Sequence, residues 1–253
     1  MTHGRHSGRV ALVTGASRGI GAASARLLAS RGMRVVVNYL NNESAANEVV
    51  ASIRSAGGEA MAVQADVRDA GAVAGMVEQV RAAMGEVEVL VHNALVPFAV
   101  TSFEQMSWQE LGTKLEEEMR AAFVVTKAVA PGMTAGGYGR IVFMSTGTSR
   151  QPREGMIALG TSKAALNQFA RYVAQEMGPR GITVNVVAAS PVDETSIADV
   201  LGDPHRKRPA AQTVLGRMAK PDDVARAVAF YAGEDSGFIT GAIAGVNGGG
   251  AWD

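Results

Sequence analysis

The chain has 253 residues, 47% hydrophobic and 19% charged, which suits one large packed α/β domain and excludes a disordered chain. Its 24 Lys and Arg balance 24 Asp and Glu, so the basic excess of a nucleic-acid or membrane-surface binder is missing. With no cysteine, disulfides and thiolate chemistry are excluded, and four scattered histidines give no pattern for a dedicated transition-metal site.

Residues 1–8 are short, polar and basic and read as a flexible tail. The apolar stretch that follows, Val10–Val13, is too short for a signal-peptide core, and no run approaches the ~20 apolar residues of a membrane span. A soluble, cytoplasmic protein is expected. Continuous β-branched runs then recur along the chain at Arg9–Thr14, Met33–Asn38, Glu59–Gln64, Val87–His92, Gly139–Ser145, Ile182–Ala188 and Ala242–Val246. Such runs read as parallel strands covered on both faces. Helical patterns lie between them at Gly19–Arg31, Ser44–Ala56, Ala70–Met84, Trp108–Thr134, Gly160–Met177 and Pro221–Ala232. This alternation predicts a doubly wound parallel sheet of about seven strands with helices on both faces, one Rossmann-type domain over 1–253. Trp108–Thr134 and Gly160–Met177 carry apolar residues on more than one face, Phe123 among them, which points to burial against another subunit.

The turn after the first strand reads Thr14-Gly15-Ala16-Ser17-Arg18-Gly19-Ile20-Gly21. Glycines let a backbone turn tightly against a pyrophosphate, and a helix N-terminus supplies N–H donors and a positive dipole end. Strand before, helix after and a second strand ending at Asn38 are the context a dinucleotide site requires. An acidic residue at that strand end would bind both ribose hydroxyls of NAD. Asn38 stands there, and Arg18 lies in the turn, so a 2′-phosphate meets a cation and no carboxylate. NADP(H) is the expected cofactor.

Taken with these residues, the whole chain resembles the short-chain dehydrogenase/reductase family, and its β-ketoacyl-carrier-protein reductase branch in particular. Gly15, Gly19 and Gly21 match the family's glycine motif, and Ala65-Asp66-Val67 matches the segment that holds the adenine. His92-Asn93-Ala94-Leu95 stands where the family has Asn-Asn-Ala-Gly, and Ser162-Lys163-Ala164 matches the helix that carries the family lysine, so the resemblance implies that Asn93, Ala94 and Lys163 hold the cofactor and that Lys163 also serves catalysis. Leu215-Gly216-Arg217, Lys220-Pro221-Asp222, Ile239-Thr240-Gly241 and Asn247-Gly248-Gly249 complete the C-terminal signature. The resemblance implies that Val192 and Thr195 approach the nicotinamide and that 193–216 covers the substrate. The basic run His205-Arg206-Lys207-Arg208 lies there, suited to a solvated loop or to docking an acidic carrier.

The resemblance fails at the reaction centre. The family lysine follows its tyrosine by four residues, and four before Lys163 is Leu159. Thr146, with Ser145 beside it, occupies the serine position, and Glu118 the asparagine position. Leucine has no proton to give, so another group must protonate the alkoxide made by hydride transfer. Glu118 is the expected replacement, its acidity weakened by burial against the opposing charge of Lys163, with Thr146 or Ser145 holding the substrate oxygen. Arg150 and Arg153 are placed to orient an anionic or phenolic substrate, and His92 reads as a backbone-bonded strand-end residue. The expectation is therefore an atypical NADP(H)-dependent reductase of a carbonyl compound, polyketide-type or carrier-bound, in a homotetramer or a mixed tetramer. The alternatives are a catalytically silent subunit beside a competent homologue and a non-redox enzyme using the same pocket.

Overall fold

A computed structural model describes residues 8–193 and 213–250. Seven strands, β1 (Val10–Val13), β2 (Arg34–Tyr39), β3 (Ala60–Gln64), β4 (Val87–His92), β5 (Gly139–Thr146), β6 (Ile182–Ala189) and β7 (Ile243–Val246), form one sheet. Their order is β3-β2-β1-β4-β5-β6-β7, and every pairing is parallel. The strands carry unbroken apolar runs because both faces are covered. Val10, Leu12 and Val36 enter one buried cluster, whereas Ala11, Val13, Val35 and Val37 enter the other.

Among the described residues the helices are α1 (Gly19–Ser30), α2 (Glu43–Ser55), α3 (Ala70–Met84), α4 (Trp108–Gly136), α5 (Ile157–Met177) and α6 (Pro221–Tyr231). One core cluster takes buried residues of α1, α2 and α6, and the opposite cluster those of α3, α4 and α5. The chain runs from β1 outward to β3 and then crosses back to β4 on the other side of β1. This switch point opens a crevice at the strands' carboxyl ends, the place where open α/β sheets bind ligands.

Most boundaries fall within a residue or two of those expected. The difference that matters is α5, which begins at Ile157, three residues before the expected start at Gly160. Gly160 does not open the helix: its N–H already bonds the Met156 carbonyl at 2.7 Å. Its lack of a side chain serves packing, since a Cβ there would lie 2.8 Å from the Thr148 carbonyl oxygen. Leu159 consequently sits inside the helix, one turn before Lys163 and on the same face. α4 runs through Pro131 to Gly136 and closes on Gly137 at φ 62°, a conformation glycine adopts freely. Of the loop expected over 193–216, only Asp193 and 213–216 lie within the described residues.

Candidate active site

The turn between β1 and α1 is built as a phosphate cradle. Gly15 has φ +60° and Gly19 φ +55°. A Cβ on Gly21 would meet the Gly15 oxygen at 2.5 Å and Asn93 Nδ2 at 2.6 Å, so no other residue fits. Thr14 and Asn93 lock the turn to the end of β4. Thr14 Oγ1 accepts the backbone N–H groups of Asn93 and Ala94, each at 3.0 Å, and Asn93 Nδ2 donates to the Thr14 and Gly15 carbonyls at 3.0 Å. Side chains of Asn42, Asp69 and Ser107 cap α2, α3 and α4. α1 has no side-chain cap and no acidic residue in its first turn. Its first N–H groups are thus left for an anion, as a bound pyrophosphate requires.

A cavity of about 720 Å³ starts at this turn and runs along the strand ends. Gly15, Ser17, Arg18, Gly19, Ile20, Asp66, Val67, Asn93, Ala94 and Val192 all line it. Gly21 lies beneath the turn instead, and Thr195 falls outside the described residues. Asn38 borders the cavity, but its amide is spent on the fold. Its Oδ1 accepts the Gly15 N–H at 3.2 Å and its Nδ2 donates to the Ala65 carbonyl at 3.1 Å. Beside it the cavity wall is formed by Arg18 and the Tyr39–Asn42 segment, with no carboxylate between 38 and 42. Further along the wall Arg68 grips Asp66 at 2.8 Å and holds its carboxyl below the usual range, while its other arm pairs with Glu117 at 2.8 Å.

The reaction end differs from the expectation in one respect that changes its chemistry. Glu118 is 1% exposed and does not line the cavity; Lys163 stands between them. Its carboxylate is shared by two buried ammonium groups, Lys163 Nζ at 2.6 Å and Lys114 Nζ at 2.5 Å. Burial would raise the Glu118 pKa, but the two lysines outweigh it and bring it down to about 2. Glu118 is a permanent carboxylate near neutrality, which corrects its reading as the proton donor. Arg120, an exposed neighbour, pairs with Glu116. Lys163 also donates to the Met144 carbonyl and Lys114 to the Val96 carbonyl, both at 2.7 Å. The chain of contacts Met144–Lys163–Glu118–Lys114–Val96 therefore ties α5, α4, the end of β5 and the loop after β4 together.

Ser145, Thr146, Leu159 and Lys163 all line the cavity here. The Ser145 hydroxyl is buried and has no hydrogen-bond partner, whereas Thr146 Oγ1 contacts the Thr148 N–H and hydroxyl at 3.4 and 3.3 Å. Leu159, 4% exposed, gives the cavity wall a hydrocarbon surface at this point. Arg153 reaches the cavity; Arg150 does not, and donates to the Ile243 carbonyl at 3.0 Å. Lys114 escaped the sequence reading. A Lys and a Glu four apart on a helix usually form an exposed pair, and only the flanking Leu111 and Leu115 hint that this pair faces inward.

His92 is 1% exposed, with Nδ1 3.4 Å from the Thr14 hydroxyl. Burial and the charge of Lys163 depress its pKa to about 4, Glu118 opposing them only in part. The ring is neutral at pH 7. Because the folded value lies below the unfolded ~6.5, this neutral burial contributes fully above pH 6.5 and is lost as pH falls through 4. His92→Asn should remove about 3 kcal/mol of acid sensitivity between pH 6.5 and 4, measured as a flatter plot of unfolding free energy against pH. An unchanged plot would mean that His92 is not the group taking up the proton.

A parallel sheet with a glycine cradle at its switch point defines a nucleotide-binding Rossmann-type domain. Comparison with known proteins makes this specific. Residues 15–250 match the family model described as enoyl-(acyl carrier protein) reductase. The chain is 36% identical over 244 residues to an uncharacterized oxidoreductase of Methylorubrum extorquens, covering 96% of this chain and 97% of the relative. It is 34% identical over 242 residues to 3-oxoacyl-[acyl-carrier-protein] reductase of Escherichia coli, with 96% and 97% covered. A short chain dehydrogenase from Burkholderia cenocepacia, solved in complex with NADP, superposes with a TM-score of 0.89 at 37% identity, covering 98% of this chain and 99% of that one. The chain belongs to the short-chain dehydrogenase/reductase family, a family of oxidoreductases. Among the described residues no helix is long and apolar enough to cross a membrane.

Proposed function

We propose that the protein is a cytoplasmic NADP(H)-dependent oxidoreductase that reduces a carbonyl compound without the family tyrosine. The observation that carries this reading is one continuous cavity joining the uncapped α1 N-terminus to the Lys163, Ser145 and Thr146 side chains. When bound, the cofactor supplies a hydride. The chain's own residues do the rest. The α1 N-terminus and Gly15–Ile20 hold the pyrophosphate, Arg18 meets a 2′-phosphate, and Asp66 and Val67 border the adenine. Ser145, with its unpartnered hydroxyl, and Thr146 orient the substrate oxygen. Its proton comes from Lys163 or from water held by Ser145, while Glu118 fixes the Lys163 ammonium from behind the cavity wall. Support for the choice of cofactor comes from the carboxylate-free segment 38–42 and from the similar Burkholderia cenocepacia chain solved with NADP.

A second reading, a silent subunit in a mixed tetramer, is favoured by Leu159 together with the exposed Phe123 and Tyr172 on α4 and α5. The same two helices suit a homotetramer, so the exposed rings alone do not separate the two. Calorimetric titration with NADPH and NADH does. Saturable NADPH binding at least tenfold tighter than NADH is expected, because the cation–phosphate contact adds about 1.4 kcal/mol or more. Failure to bind either cofactor would sink the reductase and leave the subunit reading.

A further inference from the structure

A threonine hydroxyl has two lone pairs to offer and one hydrogen to give. Thr14 Oγ1 spends both lone pairs on the backbone N–H groups of Asn93 and Ala94, each at 3.0 Å. Thr14 is fully buried, so its own hydrogen must find an acceptor inside the protein. Among the described residues the acceptor within reach is His92 Nδ1, at 3.4 Å. The ring is neutral at pH 7 and carries a single N–H. A nitrogen that accepts bears no hydrogen, which puts that N–H at Nε2. Nε2 is itself buried without a partner, so no hydrogen bond on that side selects the tautomer. Thr14 selects it.

The contact also acts in the other direction. With its hydrogen held at Nδ1, the Thr14 oxygen keeps both lone pairs towards Asn93 and Ala94. Those two residues carry the phosphate turn. A Cβ on Gly15 would lie 2.9 Å from Ala94 Cα, and Asn93 Nδ2 donates to the Gly15 carbonyl at 3.0 Å. We propose that His92 is a positioning residue for the dinucleotide: with its hydrogen on Nε2, it accepts the Thr14 hydroxyl at Nδ1 and so aims the oxygen that holds the turn against the end of β4. The effect on a cofactor rests on the reductase reading; the tautomer and the hold on the turn do not. What position 92 needs is a neutral acceptor two bonds from Cβ. Asparagine has one there, its Oδ1. Glutamine carries its amide one bond further out, in the place of Nε2.

Nitrogen NMR of the unmodified full-length protein at pH 7 tests the tautomer without any ligand. The His92 ring is expected to show a hydrogen on Nε2 and a bare Nδ1. Amide exchange at Asn93 and Ala94, and calorimetric titration with NADPH, then compare His92→Asn with His92→Gln. His92→Asn should leave both within about twofold of the unmodified protein. His92→Gln should speed exchange at the two amides and weaken NADPH binding by about tenfold, the worth of one good hydrogen bond. In a Thr14→Val background the same His92→Gln change should cost nothing further, because the hydroxyl through which it acts is gone. A hydrogen on Nδ1 would overturn the proposal. So would Asn and Gln variants that behave alike, or losses at 14 and 92 that simply add. If the unmodified protein binds no NADPH, the reductase fails instead, and the ring tautomer with the two amides decides the role of His92.

Discussion

Leu159→Tyr is expected to raise ketone-dependent NADPH oxidation by roughly 10²–10⁴-fold, the usual contribution of a positioned general acid. The geometry favours the gain. Position 159 lines the cavity and lies one helical turn before Lys163 on the same face of α5, so a phenol there comes beside an ammonium. A phenol titrates near ~10 in water and needs a neighbouring positive charge to exchange protons near neutrality. Lys163, at the cavity wall and held by Glu118, provides it. The cavity, about 720 Å³, has space for the larger side chain. The measurement is kcat for a panel of ketones, with NADPH affinity determined alongside. A variant that binds NADPH normally and reduces nothing faster would show that the missing donor was not the obstacle. The wall formed by Ser145, Met156 and Leu159 would then be shaped for another reaction.

The dinucleotide half was legible in the sequence because its requirements are local. Gly15, Gly19 and Gly21 are dictated by backbone dihedrals and close approach, and these leave a glycine at a fixed spacing whatever the rest of the chain does. Even so, Asn38 was legible only by position. That its amide would brace the Gly15 N–H and the Ala65 carbonyl depends on β2 and β3 lying side by side, which spacing does not reveal. The reaction half was legible as a set of departures and not as a mechanism. Counting from Lys163 finds Leu159, Thr146 and Glu118. The charge state of Glu118 depends on Lys114 as well, and a Lys–Glu pair four apart looks the same in sequence on a solvated or a buried face. Burial alone argues for a raised pKa; a second buried lysine reverses the sign. The Gly160 boundary failed for a related reason, since that glycine answers to a contact with Thr148 across a loop and not to the helix's own start.

The second large effect concerns stability. Glu118→Leu should destabilise the protein by about 3–5 kcal/mol, because it leaves two ammonium groups buried and unpaired. Lys114→Met should cost only about 1–2 kcal/mol: the Glu118–Lys163 pair survives, and the chief loss is the donor to the Val96 carbonyl. Denaturant midpoints at pH 7 measure both, and the pH profile separates charge from shape. In the unmodified protein the Glu118 pKa is depressed, so its contribution is complete above the ordinary carboxylate range near ~4.5 and fades as pH falls towards 2. In Glu118→Leu the two lysines are left buried without a counter-ion, which disfavours the charged form in the folded state. That variant should therefore regain stability as pH rises from 7 towards 10, where lysine neutralises in both states. A merely cavity-forming or mispacked variant would show no such recovery. If Glu118→Leu proved as stable as Lys114→Met at pH 7, and indifferent to alkaline pH, pairing of the buried lysines would not be what Glu118 contributes.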